Sequence, residues 1–393
     1  MEEQKLFGKS VAEWVECGAV HTAAEIAQQP ATWEKTCLQI HGDEKELESF
    51  VAQVTDESDF DVVLTGAGTS EYIGNTVFPY LNEHMGFHVH SFATTDIVEA
   101  PRRYLSPDKP TLLVSYGRSG DSPESVGAIQ AADVVCGNVR HLFITCNRDG
   151  ALSKLANGRD DAYAVNLTPE TLDQSFAMTS SYTNMALATM LAFAPGAPEA
   201  DREVIQEIAR ATRRTIDRDW RALKKLVAEL DFKKIVYLGA NCLKGVAQES
   251  QLKMLELTQG AVTTMFDSPM GFRHGPKSVV DKETLVVVYL SDDPHARCYE
   301  RDLVLEISGQ RSGDRLVVVG NGVSEEYGEL ADYCFDVQLV GAYDNAFLGL
   351  AYIPYAQILA LFKSLSVGIH PDDPCPTGEV NRVVQGVTIY PVE

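Results

Sequence analysis

The chain is poor in positive charge: 33 Lys and Arg stand against 56 Asp and Glu among 393 residues, a formal net charge of −23. Nucleic acid and anionic membrane surfaces both demand a basic face, so neither is an expected partner. No Cys-x-x-Cys pair is present. The eight cysteines, Cys17, Cys37, Cys136, Cys146, Cys242, Cys298, Cys334 and Cys375, are scattered, with no His at ligand spacing beside them. That points away from a disulfide framework and from a zinc site. The N-terminus, Met-Glu-Glu-Gln-Lys, lacks the basic-then-apolar pattern of a signal, and no apolar run approaches a membrane span, so the expected location is the cytoplasm. Also missing are the Gly-Lys-Ser/Thr of a P-loop and the Gly-x-Gly-x-x-Gly of a dinucleotide fold.

What stands in their place is serine. The run Ser115-Tyr116-Gly117-Arg118-Ser119-Gly120-Asp121-Ser122 ends an apolar stretch, Thr111 to Val114, and opens a predicted helix. Such a strand-to-helix turn presents free backbone N–H groups, the positive end of a helix dipole and rotatable hydroxyls, which together suit a phosphate. The same residues also suit an ordinary polar loop with Ser122 as helix N-cap. A second turn of this kind, Gly66-Ala67-Gly68-Thr69-Ser70, follows the strand Asp61 to Thr65 and precedes a helix from Glu71 to His84. In open parallel sheets ligands bind outside the carboxyl ends of the strands, where both turns lie. A third cluster, Thr179-Ser180-Ser181-Tyr182-Thr183, starts a long apolar helix, either as part of the same pocket or as its caps.

Residues up to about Gln53 read as amphipathic helix, with Thr22 as a cap and Pro30 as a break. From Asp61 strands and helices alternate, the further strands being His88–Phe92, Thr111–Val114, His141–Thr145 and Ala162–Leu167. Pro195-Gly196-Ala197-Pro198 interrupts the pattern, and a charged helix from Ala200 to Leu230 follows. Alternation resumes at Lys234–Gly239 and continues through Val262–Phe266, Leu285–Ser291, Leu316–Val319 and Cys334–Val337, so the chain reads as two copies of one α/β unit. The copies are not equivalent. After its Leu285 to Leu290 strand the second has Ser291-Asp292-Asp293-Pro294, whose carboxylates repel a phosphate, which confines the phosphate site to the first copy. The second copy instead offers Glu249, Lys253 and Glu256 on one helical face, then Phe272-Arg273-His274-Gly275-Pro276. These side chains suit acid–base work, and equally a surface i,i+4 ion pair with a solvated carboxylate and a turn histidine.

The two hydroxyl-rich turns, the helix Glu249-Ser-Gln-Leu-Lys253-Met-Leu-Glu256, the segment Arg273-His274-Gly275-Pro276-Lys277 and the near-terminal Asn381-Arg382-Val383-Val384-Gln385-Gly386-Val387 together resemble the tandem sugar isomerase (SIS) family, in its AgaS-type galactosamine-6-phosphate deaminase/isomerase branch. The resemblance runs from about residue 20 to the end. It implies an α/β protein of two tandem SIS domains, each a parallel sheet flanked by helices in a flavodoxin-like three-layer arrangement. The implied layout is an N-terminal helical extension at 1–48, a phosphate-binding domain at 49–198, a catalytic domain at 212–366, and a tail at 367–393 that closes the site.

A related enzyme, the isomerase half of glucosamine-6-phosphate synthase, implies roles for individual residues. Thr69, Ser70, Ser119 and Ser122 fall to phosphate or sugar hydroxyls, with Arg118 in place of a glutamine and Gly117 of a serine; the turns themselves add Gly68 and Ser115, and the third cluster Thr179 and Ser180, as further candidates. Glu256 matches the base that carries a proton between C2 and C1, with Glu249 and Lys253 beside it. His274 matches a ring-opening histidine supplied by a partner subunit, which implies a homo-oligomer. The tail lysine of the synthase falls at Gln385, and no glutamine-hydrolysing domain precedes the pair, so ammonia is expected to be released.

The implied reaction converts D-galactosamine 6-phosphate to D-tagatose 6-phosphate in amino-sugar catabolism, without metal, nicotinamide or flavin. Plain aldose/ketose isomerisation uses the same proton transfer and is the nearer alternative. A sugar-phosphate sensor would lack the base and carry a basic DNA-binding module, neither of which fits this acidic chain with Glu256 in place.

Overall fold

The computed structural model describes residues 5–310, 315–384 and 386–392. Its ten strands are β1 Asp61–Gly66, β2 Val89–Ala93, β3 Thr111–Gly117, β4 Val139–Thr145, β5 Ala162–Asn166, β6 Lys234–Leu238, β7 Thr263–Asp267, β8 Thr284–Tyr289, β9 Arg315–Gly320 and β10 Tyr333–Asp336. They form two five-stranded sheets, ordered β2-β1-β3-β4-β5 and β10-β9-β8-β6-β7. Every pairing is parallel. Read from its other edge the second order is β7-β6-β8-β9-β10, the same 2-1-3-4-5 topology as the first, so the internal repeat expected from the sequence is real. The strands are near-continuous apolar runs because helices cover both faces.

The chain divides into two compact units, each built on one sheet. The first-sheet unit comprises Ala31–Asp173, Ser180–Ile205 and Thr377–Glu393, and the second-sheet unit Met1–Pro30, Gln174–Thr179 and Gln206–Pro376. In the first, Val63, Leu113 and Phe143 pack on one sheet face against Ile97, Ala128, Ile129 and Leu152. The opposite face carries the Thr69–Met85 helix: a Cβ on Gly74 would lie 3.1 Å from Leu64 Cβ and 2.5 Å from Ser91 Oγ, so only glycine allows this approach. In the second unit, Val236, Val286, Val288, Leu316 and Val318 pack against Leu303, Val304 and Ile307 of the Pro294–Gln310 helix.

Four expectations need correction. Pro30 does not break the first long helix, which runs Val20–Gly42. A proline leaves the carbonyl four residues earlier without its N–H donor. Here the Gln29 side-chain amide donates to that carbonyl, Ile26 O, at 3.0 Å, and the helix continues. Thr22 lies inside this helix and is not its cap; the Asp372 carboxylate accepts from the N–H groups of His21 and Thr22 and from the Thr22 hydroxyl. The charged segment after Pro198 is two helices, Pro198–Arg214 and Trp220–Glu229, joined by a π turn at Thr215–Asp219. Finally, the Asn345–Ser366 helix is long and apolar enough to cross a membrane by length and composition, although it is almost wholly buried inside its unit.

Candidate active site

In a 2-1-3-4-5 sheet the chain leaves β1 and β3 toward opposite faces, and the crevice between those neighbouring strand ends is where ligands bind. The first-sheet unit meets this condition: the helix after β1 covers the Leu64 face, and the Pro123–Val135 helix after β3 covers the Val63 face. Both serine-rich turns stand at that crevice. After β1, Gly66 packs so closely on the next helix that a Cβ there would come within 2.4 Å of Ser70 C. Gly68 follows at φ 57° and ψ −128°, a conformation side-chain-bearing residues rarely adopt, and no side chain caps the helix that starts at Thr69. The helix N-terminus lies at the crevice, with Thr69 and Ser70 buried in its first turn.

The turn after β3 is held from below. Thr145 Oγ1 donates to Gly117 O at 2.7 Å, Asn147 Nδ2 to Ser119 O at 2.9 Å, and Leu152 N–H to Gly120 O at 3.0 Å. Gly120 has φ +68°, and a Cβ on Gly117 would meet Gly120 Cα at 2.9 Å, so both glycines are required by the turn. Ser122 is the N-cap of the Pro123–Val135 helix, accepting from Ser125 N–H at 3.3 Å. The capping role and a donor role are compatible, because the hydroxyl carries its own hydrogen. The Arg118 guanidinium is buried and donates to the tail at Arg382 O, 3.0 Å away. Arg382 in turn donates to Asp173 O, which ties the tail to this unit.

In the second-sheet unit the equivalent turn, Gly239-Ala240-Asn241, opens the Cys242–Leu257 helix. Four-residue and three-residue steps place Glu249, Lys253 and Glu256 on one stripe. Lys253 is fully buried, 3.2 Å from Glu249 Oε1 and 2.7 Å from Glu256 Oε2. Glu249 is equally buried, whereas the Glu256 side chain retains 25% of its exposure. The surface ion pair is thus excluded as a description. Burial pushes the Lys253 ammonium toward losing its proton, but the two carboxylates outweigh burial and hold its pKa above the ordinary lysine value. The Lys253 ammonium donates to Glu256 Oε2 and so fixes the orientation of the one carboxylate of the stripe that reaches solvent. Ser250, on the buried side of the helix, shares a 2.7 Å hydrogen bond with the Tyr289 hydroxyl.

Not every expected residue joins these groups. Ser115 is buried in β3, and its hydroxyl has no partner among the described residues. Its in-register neighbour on β1, Thr65, is in the same condition, a polar position that the sequence reading passed over inside an apolar run. Ser180 is engaged by Asp173, whose carboxylate also accepts from Ser181 N–H at 2.8 Å and Ser181 Oγ at 2.6 Å. The cap of the Ser180–Phe193 helix is therefore Asp173, a residue that sequence spacing did not flag, and Thr179 belongs to the Gln174–Thr179 strap of the other unit. His274 sits on an exposed turn of the second-sheet unit beside Gly275 at φ +119°. Gln385 lies outside the described residues.

The carboxylates after β8 have partners within their own unit. Asp292 accepts from Tyr343 N–H at 3.0 Å and Asn321 Nδ2 at 3.1 Å, with Arg297 at 3.3 Å. The second-sheet unit thus carries carboxylates where the first-sheet unit has Gly117, Arg118 and Ser119.

The SIS domain family matches residues 57–195. The D-galactosamine-6-phosphate deaminase AgaS of Shewanella sp. (strain ANA-3) is 42% identical over 387 residues, covering 97% of this chain and 95% of that protein. A crystal structure from Clostridium novyi NT superposes with a TM-score of 0.95 at 39% identity, covering 99% of each chain. The tagatose-6-phosphate ketose/aldose isomerase of Escherichia coli does so with a TM-score of 0.87 at 36% identity, covering 94% of this chain and 96% of that one.

Proposed function

Since the chain belongs to the AgaS family of SIS-domain proteins, we propose that it converts D-galactosamine 6-phosphate to D-tagatose 6-phosphate and ammonia. The observation that carries the reading is the buried Lys253 clamped between Glu249 and the partly exposed Glu256. Gly68, Thr69, Ser70, Arg118, Ser119 and Ser122 are assigned to the phosphate and sugar hydroxyls. The phosphate does not react, so its binding energy is free to hold the opened chain in place.

The amino sugar is mostly a closed ring. Opening it moves the anomeric hydroxyl proton away and delivers a proton to the ring oxygen, which suits His274. Glu256 then takes the proton from C2 while O1 gains one, giving an enolamine, and returns its proton to C1. The product is a 2-imino ketose. Water adds at C2, and ammonia leaves as the ketone forms. Every step is a proton transfer or the addition and loss of water or ammonia. The exposure of His274, with no side-chain partner among the described residues, supports a second copy as the one it serves, in a homo-oligomer. The Arg118 to Arg382 hydrogen bond supports a tail that closes over the phosphate turn, with Gln385 in that segment. A phosphorylated sugar is retained in the cytoplasm, which is where the reaction is placed.

Incubation with the 6-phosphates of galactosamine, glucosamine and N-acetylgalactosamine, with ammonia and ketose both measured, tests the reading. Equal yields of ammonia and tagatose 6-phosphate from the first are expected. Ketose formation from a neutral aldose phosphate, with no ammonia from any amino sugar, would replace it with plain isomerisation.

A further inference from the structure

The two units open their first helix with the same turn, differing at one position. Gly66-Ala67-Gly68 and Gly239-Ala240-Asn241 both begin with a glycine that no Cβ could replace, 2.4 Å from Ser70 C in one and 2.3 Å from Leu243 O in the other. Both end at an unusual backbone conformation, φ 57°, ψ −128° at Gly68 and φ 41°, ψ −119° at Asn241. Glycine occupies it without strain; asparagine does not. A strained residue persists where its side chain has work to do.

That work is visible in the hydrogen bonds. Asn241 Oδ1 accepts from Cys242 N–H, capping the Cys242–Leu257 helix, and from Asn345 Nδ2 at 2.7 Å. Asn345 Oδ1 accepts from Ser291 Oγ at 2.9 Å, and Ser291 N–H donates to Glu300 Oε2 at 2.8 Å. One chain of bonds thus joins the end of β6, the end of β8 and the first residue of the Asn345–Ser366 helix. The same two helices pack so tightly one turn further on that a Cβ at Gly349 would lie 2.7 Å from Val246 Cγ2. In the first-sheet unit the corresponding N-cap is Gly68, which has no side chain with which to cap.

We infer that Asn241, held by Asn345, is a positioning residue for the proposed reaction: its side chain caps the helix start where the first unit has a glycine, and so fixes the axial placement of the helix bearing Glu249, Lys253 and Glu256. This rests on the reading of Glu256 as the base. The perturbation that isolates it is Asn241→Gly, because glycine suits the backbone there and removes only the amide. The variant keeps wild-type heat stability or gains some, and its KM for the sugar phosphate stays within about twofold, while kcat falls about 10- to 100-fold, the scale of a sub-ångström to 1 Å misplacement of a reacting group. Asn241→Asp keeps an oxygen that accepts from both donors at a helix start that favours negative charge, and restores kcat.

Glu256→Gln is measured alongside. Wild-type kcat in Asn241→Gly with a silent Glu256→Gln overturns the inference and leaves the base in place. A kcat loss that appears only together with a lower unfolding temperature, and that Asn241→Asp does not restore, also overturns it, reducing Asn241 to a structural cap. Turnover in Glu256→Gln removes the base and the inference with it.

Discussion

Replacing Lys253 by Met deletes one charge from a site closed to solvent. The side chain is fully buried and lies 3.2 Å from an equally buried Glu249 and 2.7 Å from Glu256. Methionine matches the lysine stem closely in volume, so the packing loss is small. What remains is Glu249 as a buried carboxylate deprived of its cation, and removing one partner of a buried pair costs about 3–5 kcal/mol. The deficit should shrink as pH falls, because protonation of an unpaired buried carboxyl relieves it. In the wild type the sign at the other extreme is set by Lys253: its folded-state pKa is raised, so its contribution is complete below the unfolded lysine pKa and is lost as pH rises through the folded value. Urea unfolding of wild type, Lys253→Met, Glu249→Gln and the double variant, at neutral and mildly acidic pH, provides the assay. The double variant should recover most of the loss, a coupling of about 2–3 kcal/mol within the range seen for contacting residues. A single Lys253→Met change costing less than about 1 kcal/mol at neutral pH, with no pH dependence, would refute the description of a desolvated charge cluster.

The joint change of Ser119 and Ser122 to Ala should weaken sugar-phosphate binding, since each lost donor to a charged acceptor is worth about 1.5–3 kcal/mol; calorimetry reads it, and unchanged affinity would remove this turn from the site. Because Ser122 also caps a helix, its replacement alone should lower stability by about 1 kcal/mol. Burial pushes the Glu300 carboxyl up to about 7, so the wild type should lose stability as pH rises from about 4.5 toward 7. Glu300→Gln keeps an acceptor for Ser291 N–H and should flatten that dependence, which amounts to about 3 kcal/mol; an unaltered stability profile would show that Glu300 does not titrate in this range.

Strand positions were legible because a strand covered on both faces must be apolar along its length, as Asp61–Gly66 and Thr284–Tyr289 are. The serine turns were legible for a local reason too, since the glycines and the Ser122 cap act within a few residues. What escaped the sequence was set by distant partners. Thr22 looked like a cap, but the cap is Asp372, 350 residues away. Pro30 looked like a break, and the Gln29 amide bridges it. The Glu249, Lys253 and Glu256 stripe was visible from spacing, whereas its burial depends on the Asn345–Ser366 helix packing against it. Asn241 carried a signal that could have been used: it stands where the repeat has Gly68.

Deuterium incorporation during a single experiment tests the central claim most directly. With galactosamine 6-phosphate in deuterated water, the wild type should release ammonia with tagatose 6-phosphate and exchange the C2 proton with solvent. Glu256→Gln should bind the substrate with near wild-type affinity yet lose both turnover and exchange by about 10²- to 10⁴-fold, the contribution of a positioned base. A Glu256→Gln protein that retains most of its exchange and its ammonia release would contradict the account.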